Sequence, residues 1–130
     1  MDVLLDTHAW VWSFMDDGRL SAEARAALEK ADAVRVSAIS FFEIGQKVRI
    51  GKWPEMELGV DELGDLLTQQ GGLPATLTPE IALLAAKLDW SHRDPFDRII
   101  AATAMLGDHV LLSADAAFDT LEDARLRRIW

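Results

Sequence analysis

Apolar residues in this chain fall into short runs of two kinds. Val3-Leu4-Leu5 is a brief apolar run that ends on Asp6. Ala33 to Ser37 reads as a second strand, Pro74 to Leu77 as a weak third, Val110 to Ser113 as a fourth and Arg127 to Trp130 as a fifth. Between these runs the spacing turns helical. Helices are predicted over Ala9 to Phe14, over Ala22 to Ala31 after a cap at Ser21, and from Phe41 to about Ile50. Leu63, Leu66 and Leu67 mark a fourth, and Thr78-Pro79-Glu80 opens a fifth with a cap and a first-turn proline. The sixth spans Pro95 to Leu106, with Ile99, Ile100, Thr103 and Leu106 on one stripe. Short apolar strands alternating with helices predict an α/β fold whose parallel sheet is covered on both faces. Gly51 to Gly59, with Pro54 and several charges, reads as a loose surface connection.

Composition narrows the class. The 130 residues are half hydrophobic, which suits a single domain over 1–130. No apolar run approaches the roughly 18 residues that span a bilayer, so no membrane association is expected. Met1 to Asp6 lacks the basic start of a signal peptide. The absence of cysteine excludes disulfides, thiolate nucleophiles and cysteine-bound metals. A cytoplasmic enzyme is the default expectation. A formal charge of −9 argues against simple electrostatic attraction to nucleic acid. Either the chain binds none, or part of its acid is gathered around a cation that reverses the local field.

Where the acids fall bears on that choice. In an open parallel sheet, ligands bind beyond the carboxyl ends of the strands, near the point where strand order reverses. Asp6 directly follows the first strand, Asp115 lies two residues beyond Ser113, and Glu43 lies in the helix after the second strand. Asp94 and Asp97 open the helix leading into the fourth strand. Such a helix is expected to begin at the opposite edge, so topology alone does not bring Asp97 to the others.

Each acid also has a purely structural reading. Ser40-Phe41-Phe42-Glu43 has the form of a capping box, and Asp94-Pro95 that of a cap followed by a first-turn proline. Asp97 then sits as a first-turn acid facing the helix dipole. Asp6 and Asp115 fit turns at strand ends. Convergence of acids from separate segments would have a definite consequence. Two carboxylates about 4 Å apart repel by roughly 1 kcal/mol in bulk water and by several at an effective dielectric near 20. Such a cluster holds either protons or a cation, and oxygen ligands without cysteine select a hard ion, Mg²⁺ or Mn²⁺. Water on such an ion can attack a phosphodiester, and the ion itself attracts phosphate.

These segments resemble the PIN domain, and within it the VapC-type toxins of bacterial toxin–antitoxin pairs. Leu4-Leu5-Asp6-Thr7-His8-Ala9-Trp10 is similar to the opening strand and first acid of that family, and Ser37 to Ile44 to the stretch carrying the second. His92-Arg93-Asp94-Pro95-Phe96-Asp97-Arg98-Ile99-Ile100-Ala101-Ala102-Thr103-Ala104 is the most specific match, with the third acid at Asp97. Leu111-Leu112-Ser113-Ala114-Asp115 resembles the last motif. Gly51 to Gln70 carries no family motif. The resemblance implies a three-layer α/β/α domain with a mostly parallel sheet of four to five strands. It implies a Mg²⁺- or Mn²⁺-dependent endoribonuclease, toxic in its physiological role, homodimeric, and inhibited by a cognate antitoxin of the VapB kind. Asp6, Glu43, Asp97 and Asp115 take the metal-binding and water-activating roles. Thr7 and Ser113 supply supporting hydrogen bonds, and Asp94 is a cap rather than a ligand.

Several other residues have two readings. His8 and His92 flank the proposed site, as proton shuttles or, by preference, as hydrogen-bonded structural groups. Arg93, Arg98, Lys47, Arg49 and Lys52 are candidates for phosphate contact or for a solvated surface, the latter by preference for Lys52. The aromatic set Trp10, Trp12 and Phe14 is either core or interface. Two alternatives remain for the whole. One is an acid-rich phosphoryl-transfer domain, although a receiver-type site needs a late lysine and the last is Lys87, while a dehalogenase-like site needs an aspartate where His8 stands. The other is a non-catalytic interaction module whose acids only cap helices.

Overall fold

The computed structural model describes residues 1–15 and 18–130. Its centre is a wholly parallel five-stranded sheet in the order β3-β2-β1-β4-β5, comprising β1 (Asp2–Leu5), β2 (Ala33–Ser37), β3 (Leu73–Ala75), β4 (Val110–Leu112) and β5 (Arg127–Ile129). Among the described residues six α-helices surround it: α1 (Thr7–Met15), α2 (Ala22–Lys30), α3 (Ala38–Arg49), α4 (Leu63–Gln69), α5 (Pro79–Lys87) and α6 (Pro95–Gly107). The two-residue period of the strands divides the core between the two faces. Val3 and Leu5 of β1, with Val110 and Leu112 of β4, join one cluster that includes Trp10 of α1, Ala24 of α2, Ile44 of α3 and Leu67 of α4. Leu4 and Leu111 point the other way, into a cluster with Ile100, Ala101 and Ala104 of α6 and with Phe118. A Leu or Ile side chain buried this completely contributes roughly 1.5–3 kcal/mol. The result is the expected three layers, with α5 packed outside α6 through Ile81, Ala85 and Ala102.

Three expectations are corrected. Ser40 does not cap a helix. Ser37 does, accepting from Ile39 N at 3.1 Å, so α3 begins three residues earlier than predicted and Ser40 is fully buried within it. The capping-box reading of Glu43 falls with that shift. The stretch expected to be a loose surface connection is instead anchored. A 3₁₀ segment runs over Pro54–Glu62, and Trp53 and Met56 belong to the core. Trp53, Met56, Val60, Leu63 and Leu67 recur every three or four residues, so a helical stripe already runs through this segment into α4. Finally, α6 begins at the carboxyl edge of the sheet. A helix that feeds a parallel strand must run against it to return the chain to the amino end. Asp108, at φ 55°, ends α6 there, and His109 carries the chain into β4.

Strand order reverses at β1. The chain adds β2 and β3 on one side, then crosses to place β4 and β5 on the other. Leu5 pairs with Leu112, and Asp6 N continues the ladder to Leu112 O at 3.1 Å. Asp6 and Ser113 therefore leave the sheet side by side at its switch point.

Candidate active site

Beyond that edge lies a cleft of about 280 Å³ lined by Asp6, Glu43, Asp94, Asp97 and Asp115, together with Thr7, His8, Trp12 and Lys47. The four acids singled out from sequence, and Asp94 with them, reach one cavity from four segments of the chain. Asp6 is buried, at 8 % exposure. It caps α1, its Oδ1 accepting from Ala9 N at 2.8 Å, while the Ser113 hydroxyl donates to Oδ2. Both supporting hydrogen bonds favour the ionised form, yet burial outweighs them and pushes the Asp6 carboxyl up to about 6. The negative charge of Asp97 acts in the same direction as burial.

Glu43 is also buried, and each of its oxygens has a partner. The Thr7 hydroxyl donates to Oε1 at 2.7 Å, with Ser40 Oγ 2.9 Å from the same hydroxyl oxygen. Lys47, one helical turn on, pairs with Oε2 at 2.6 Å. Thr7 thus occupies the supporting place expected of it, as Ser113 does beside Asp6.

Asp97 lies in the first turn of α6, with Oδ2 2.7 Å from His92 Nε2. Burial raises its carboxyl above the usual range against the stabilising contact with His92, and nearby Asp94 and Asp115 raise it further. Asp94 is the cap that was expected, its Oδ1 accepting from Phe96 N at 2.9 Å and Asp97 N at 3.4 Å. Among the described residues, the tightest set of potential metal ligands is His92, Asp94 and Asp97, whose ligand atoms lie within 4.8 Å of one another. Asp115 caps the short 3₁₀ turn Ala116–Thr120, accepting from Ala117 N at 2.9 Å, and its own N–H donates to Ser113 Oγ at 3.0 Å. Capping and lining the cleft are therefore compatible at Asp6, Asp94 and Asp115. A cap uses one carboxylate oxygen and turns the other outward or to a second partner.

Two arginines named from sequence do not reach the cleft. Arg98 is spent on backbone carbonyls, donating to Ala85, Leu88, Trp90 and His92 at 2.7–2.9 Å. It ties the end of α5 and the following loop to α6, and so holds His92 beside Asp97. Arg93 and Arg98 both line a separate hollow behind α5. Arg128 went unnoticed in the sequence. It donates to Ser113 O at 2.9 Å while chelating Asp119, and thereby fixes the turn that carries Ser113 and Asp115. No local motif marks an arginine on an edge strand for such a role.

The donor set suits a hard divalent cation. It is all oxygen at Asp6, Glu43 and Asp115, with one imidazole held against Asp97, and it lies where burial resists unpaired negative charge.

Comparison with known proteins gives a consistent result. The PIN domain family profile matches residues 3–124. Ribonuclease VapC22 of Mycobacterium tuberculosis is 32 % identical over 132 aligned residues, covering 98 % of each chain. Among solved structures, VapBC2 from Rickettsia felis bound to a promoter DNA fragment superposes with a TM-score of 0.70 at 16 % identity, covering 99 % of this chain and 98 % of that one. FitAcB from Neisseria gonorrhoeae gives 0.65 at 20 % identity, covering 100 % and 97 %. A toxin–antitoxin complex from Klebsiella pneumoniae gives 0.62 at 20 % identity, covering 98 % and 96 %. At these identities the solved structures speak to the fold alone.

Proposed function

The chain belongs to the PIN domain family, and from that premise we propose that it is a divalent-metal-dependent endoribonuclease acting as the toxin of a toxin–antitoxin pair. The observation that carries the reading is the convergence of Asp6, Glu43, Asp97 and Asp115 on one cleft at the switch point, with Asp6 buried against its electrostatic preference. One PIN domain over 1–130, acting in the cytoplasm, completes the reading.

Asp6, Asp97 and Asp115 would hold Mg²⁺ or Mn²⁺, with Glu43 across the cleft. When bound, such an ion supplies Lewis-acid stabilisation of phosphate charge and an acidified water. The protein's own part is positioning. Ser113 and the Ala9 amide fix the rotamer of Asp6, and Thr7 fixes Glu43. Lys47 pairs with Glu43 Oε2, and Glu43, buried in the wall of the cleft, would accept a proton from an attacking water. His92, held by Arg98 through its own carbonyl, orients the Asp97 carboxylate.

A homodimer and an antitoxin partner belong to the same proposal. An antitoxin tail with an arginine would pair its fixed fork with the carboxylates that otherwise hold the cation. The deciding experiment is cleavage of RNA by the purified protein in Mg²⁺ or Mn²⁺ against its Asp97→Asn variant. Asparagine keeps the shape of aspartate but removes the charge, so cleavage and toxicity on expression should both be lost while the melting temperature holds. Equal cleavage by the two proteins would refute the assignment of this site.

A further inference from the structure

Ser113 touches two of the proposed metal-binding residues with one hydroxyl. Its Oγ donates to Asp6 Oδ2 and accepts from Asp115 N at 3.0 Å. The place of Ser113 therefore sets both the rotamer of Asp6 and the backbone that carries Asp115. The sheet itself holds Ser113 only loosely, because its N–H reaches Ile129 O at 3.4 Å, just past the end of β4. Arg128 supplies the firmer tie. Its Nη1 donates to Ser113 O at 2.9 Å, while Nε and Nη2 hold the two oxygens of Asp119 at 2.9 and 2.6 Å. Arg128 pairs in register with Leu111, so its side chain leaves the sheet on the face where Phe118 roots the Ala116–Thr120 turn in the core. The guanidinium is 18 % exposed and planar. Its fork spans the turn, from Ser113 before Asp115 to Asp119 after it, and fixes their spacing.

We propose that Arg128 is a positioning residue for the divalent cation, its fork across Ser113 and Asp119 setting the affinity of the site by holding Asp6 and Asp115 in place. The proposal rests on the metal-dependent reading above and adds which group outside the cleft maintains it. Arg128 does not line the cleft, so it acts through Ser113 and not on the cation itself. Its charge works in the opposite direction. Arg128 is close enough to Asp115 for the two charges to attract, and a fixed cation beside a cation site weakens binding. Loss of the charge alone should therefore tighten metal binding, whereas loss of the fork should loosen it. The two accounts differ in sign. Groups that orient metal ligands from behind are worth about ten- to a hundredfold in affinity, and a solvent-screened charge is worth less. Lysine separates them further. It keeps the charge, but one ammonium cannot reproduce the planar fork that reaches Ser113 O and both oxygens of Asp119.

The test titrates Mn²⁺ alone into the full-length protein by calorimetry, well below the melting temperature, with each variant's melting curve recorded in chelator. Arg128→Ala and Arg128→Lys should each weaken Mn²⁺ binding by about tenfold or more. Arg127→Ala is the control. It removes the same charge from the neighbouring position of β5, where Arg127 meets Asp108 at the amino edge at 2.9 Å, and should leave the affinity within about twofold of the parent. Unchanged or tighter binding in Arg128→Ala overturns the proposal, as does parent-like binding in Arg128→Lys. So does an equal loss in Arg127→Ala, which would trace the effect to a loosened β5. If Arg128→Ala does not fold, Arg128→Lys decides by the same criterion. RNA cleavage by the parent is followed separately. If the parent cleaves RNA and the Arg128 variants bind Mn²⁺ as it does, the positioning role alone falls. If the parent binds Mn²⁺ more tightly than Arg128→Lys yet cleaves no RNA, the positioning role stands and the ribonuclease reading falls. A parent that binds no Mn²⁺ takes both down.

Discussion

The two edges of the sheet handle charge in opposite ways. At the amino edge each acid meets a cation. The Met1 ammonium pairs with Asp32 and holds that carboxyl below its usual range, Arg127 meets Asp108 at 2.9 Å, and Arg35 approaches Asp2 at 3.9 Å. His109, buried there beside Arg35, is pushed toward its neutral form by burial and by that neighbour. At the carboxyl edge five carboxylates share one lysine, and burial raises Asp6 and Asp97 instead of a partner lowering them. Folding alone has no use for the second arrangement, because unpaired buried charge costs stability. A cleft that keeps such charge is prepared for a cation that arrives from outside.

The largest expected difference between the edges is in activity. Asp97→Asn or Asp115→Asn should lower RNA cleavage by more than about a hundredfold, since even outer groups around a metal are worth about ten- to a hundredfold. Asp2→Asn and Asp108→Asn at the amino edge, as ordinary surface changes, should stay within about twofold of the parent. Initial rates on one RNA substrate decide it. An amino-edge variant as impaired as Asp97→Asn would erase the distinction.

Metal should separate the edges next. A ligand that binds only the native state adds about 2.7 kcal/mol at a hundredfold excess over its dissociation constant. Mg²⁺ or Mn²⁺ should therefore raise the melting temperature of the parent and of Asp2→Asn, and chelation should reverse the gain. Asp6→Asn should show little of it. A parent melting curve indifferent to both ions counts directly against the proposed centre.

Without metal, the sign for Asp6 reverses. Its carboxyl sits at about 6 when folded and near 3.8 when unfolded, so the native state binds the extra proton between these values. Its contribution is intact below about pH 4 and is lost as pH rises through about 6. Asp6→Asn removes that loss, since asparagine can still accept from Ala9 N and donate to Ser113. The variant should be more stable than the parent at pH 7, by on the order of 3 kcal/mol, with the gap closing toward pH 4. Chemical denaturation in chelator across that range measures it, and a gap independent of pH would remove Asp6 as its source.

How much of this was legible depended on the range of the interaction. The strands and Asp6 were readable because a period of two and a run ending in an acid are local patterns. Asp97 was placed by its resemblance to the PIN family, because the direction of α6 depends on which edge the chain must regain. The anchoring of Trp53 and Met56 was obscured by Pro54 and the surrounding charges, although their spacing carried it. Arg98 and Arg128 show the other limit. Their partners are backbone carbonyls, and a carbonyl leaves no mark in a sequence.

The smallest expected effect is the most discriminating within the site itself. Asp94 stands in the cleft beside Asp97, and their ligand atoms approach within the same 4.8 Å group as His92. Yet its Oδ1 already serves the amides of Phe96 and Asp97 as the cap of α6. Asparagine is about as good an N-cap as aspartate, so Asp94→Asn should keep α6 in place and change stability by a few tenths of a kcal/mol at most. Cleavage should largely survive, and the affinity for Mn²⁺ should be close to that of the parent. Asp94→Ala provides the contrast. It removes the cap, should cost about 1 kcal/mol, and should loosen the first turn that carries Asp97. If Asp94→Asn instead abolishes cleavage while Asp97→Asn spares it, the roles on this helix are exchanged. The cation then belongs with His92 and Asp94 at the mouth of the cleft, away from the buried Asp6.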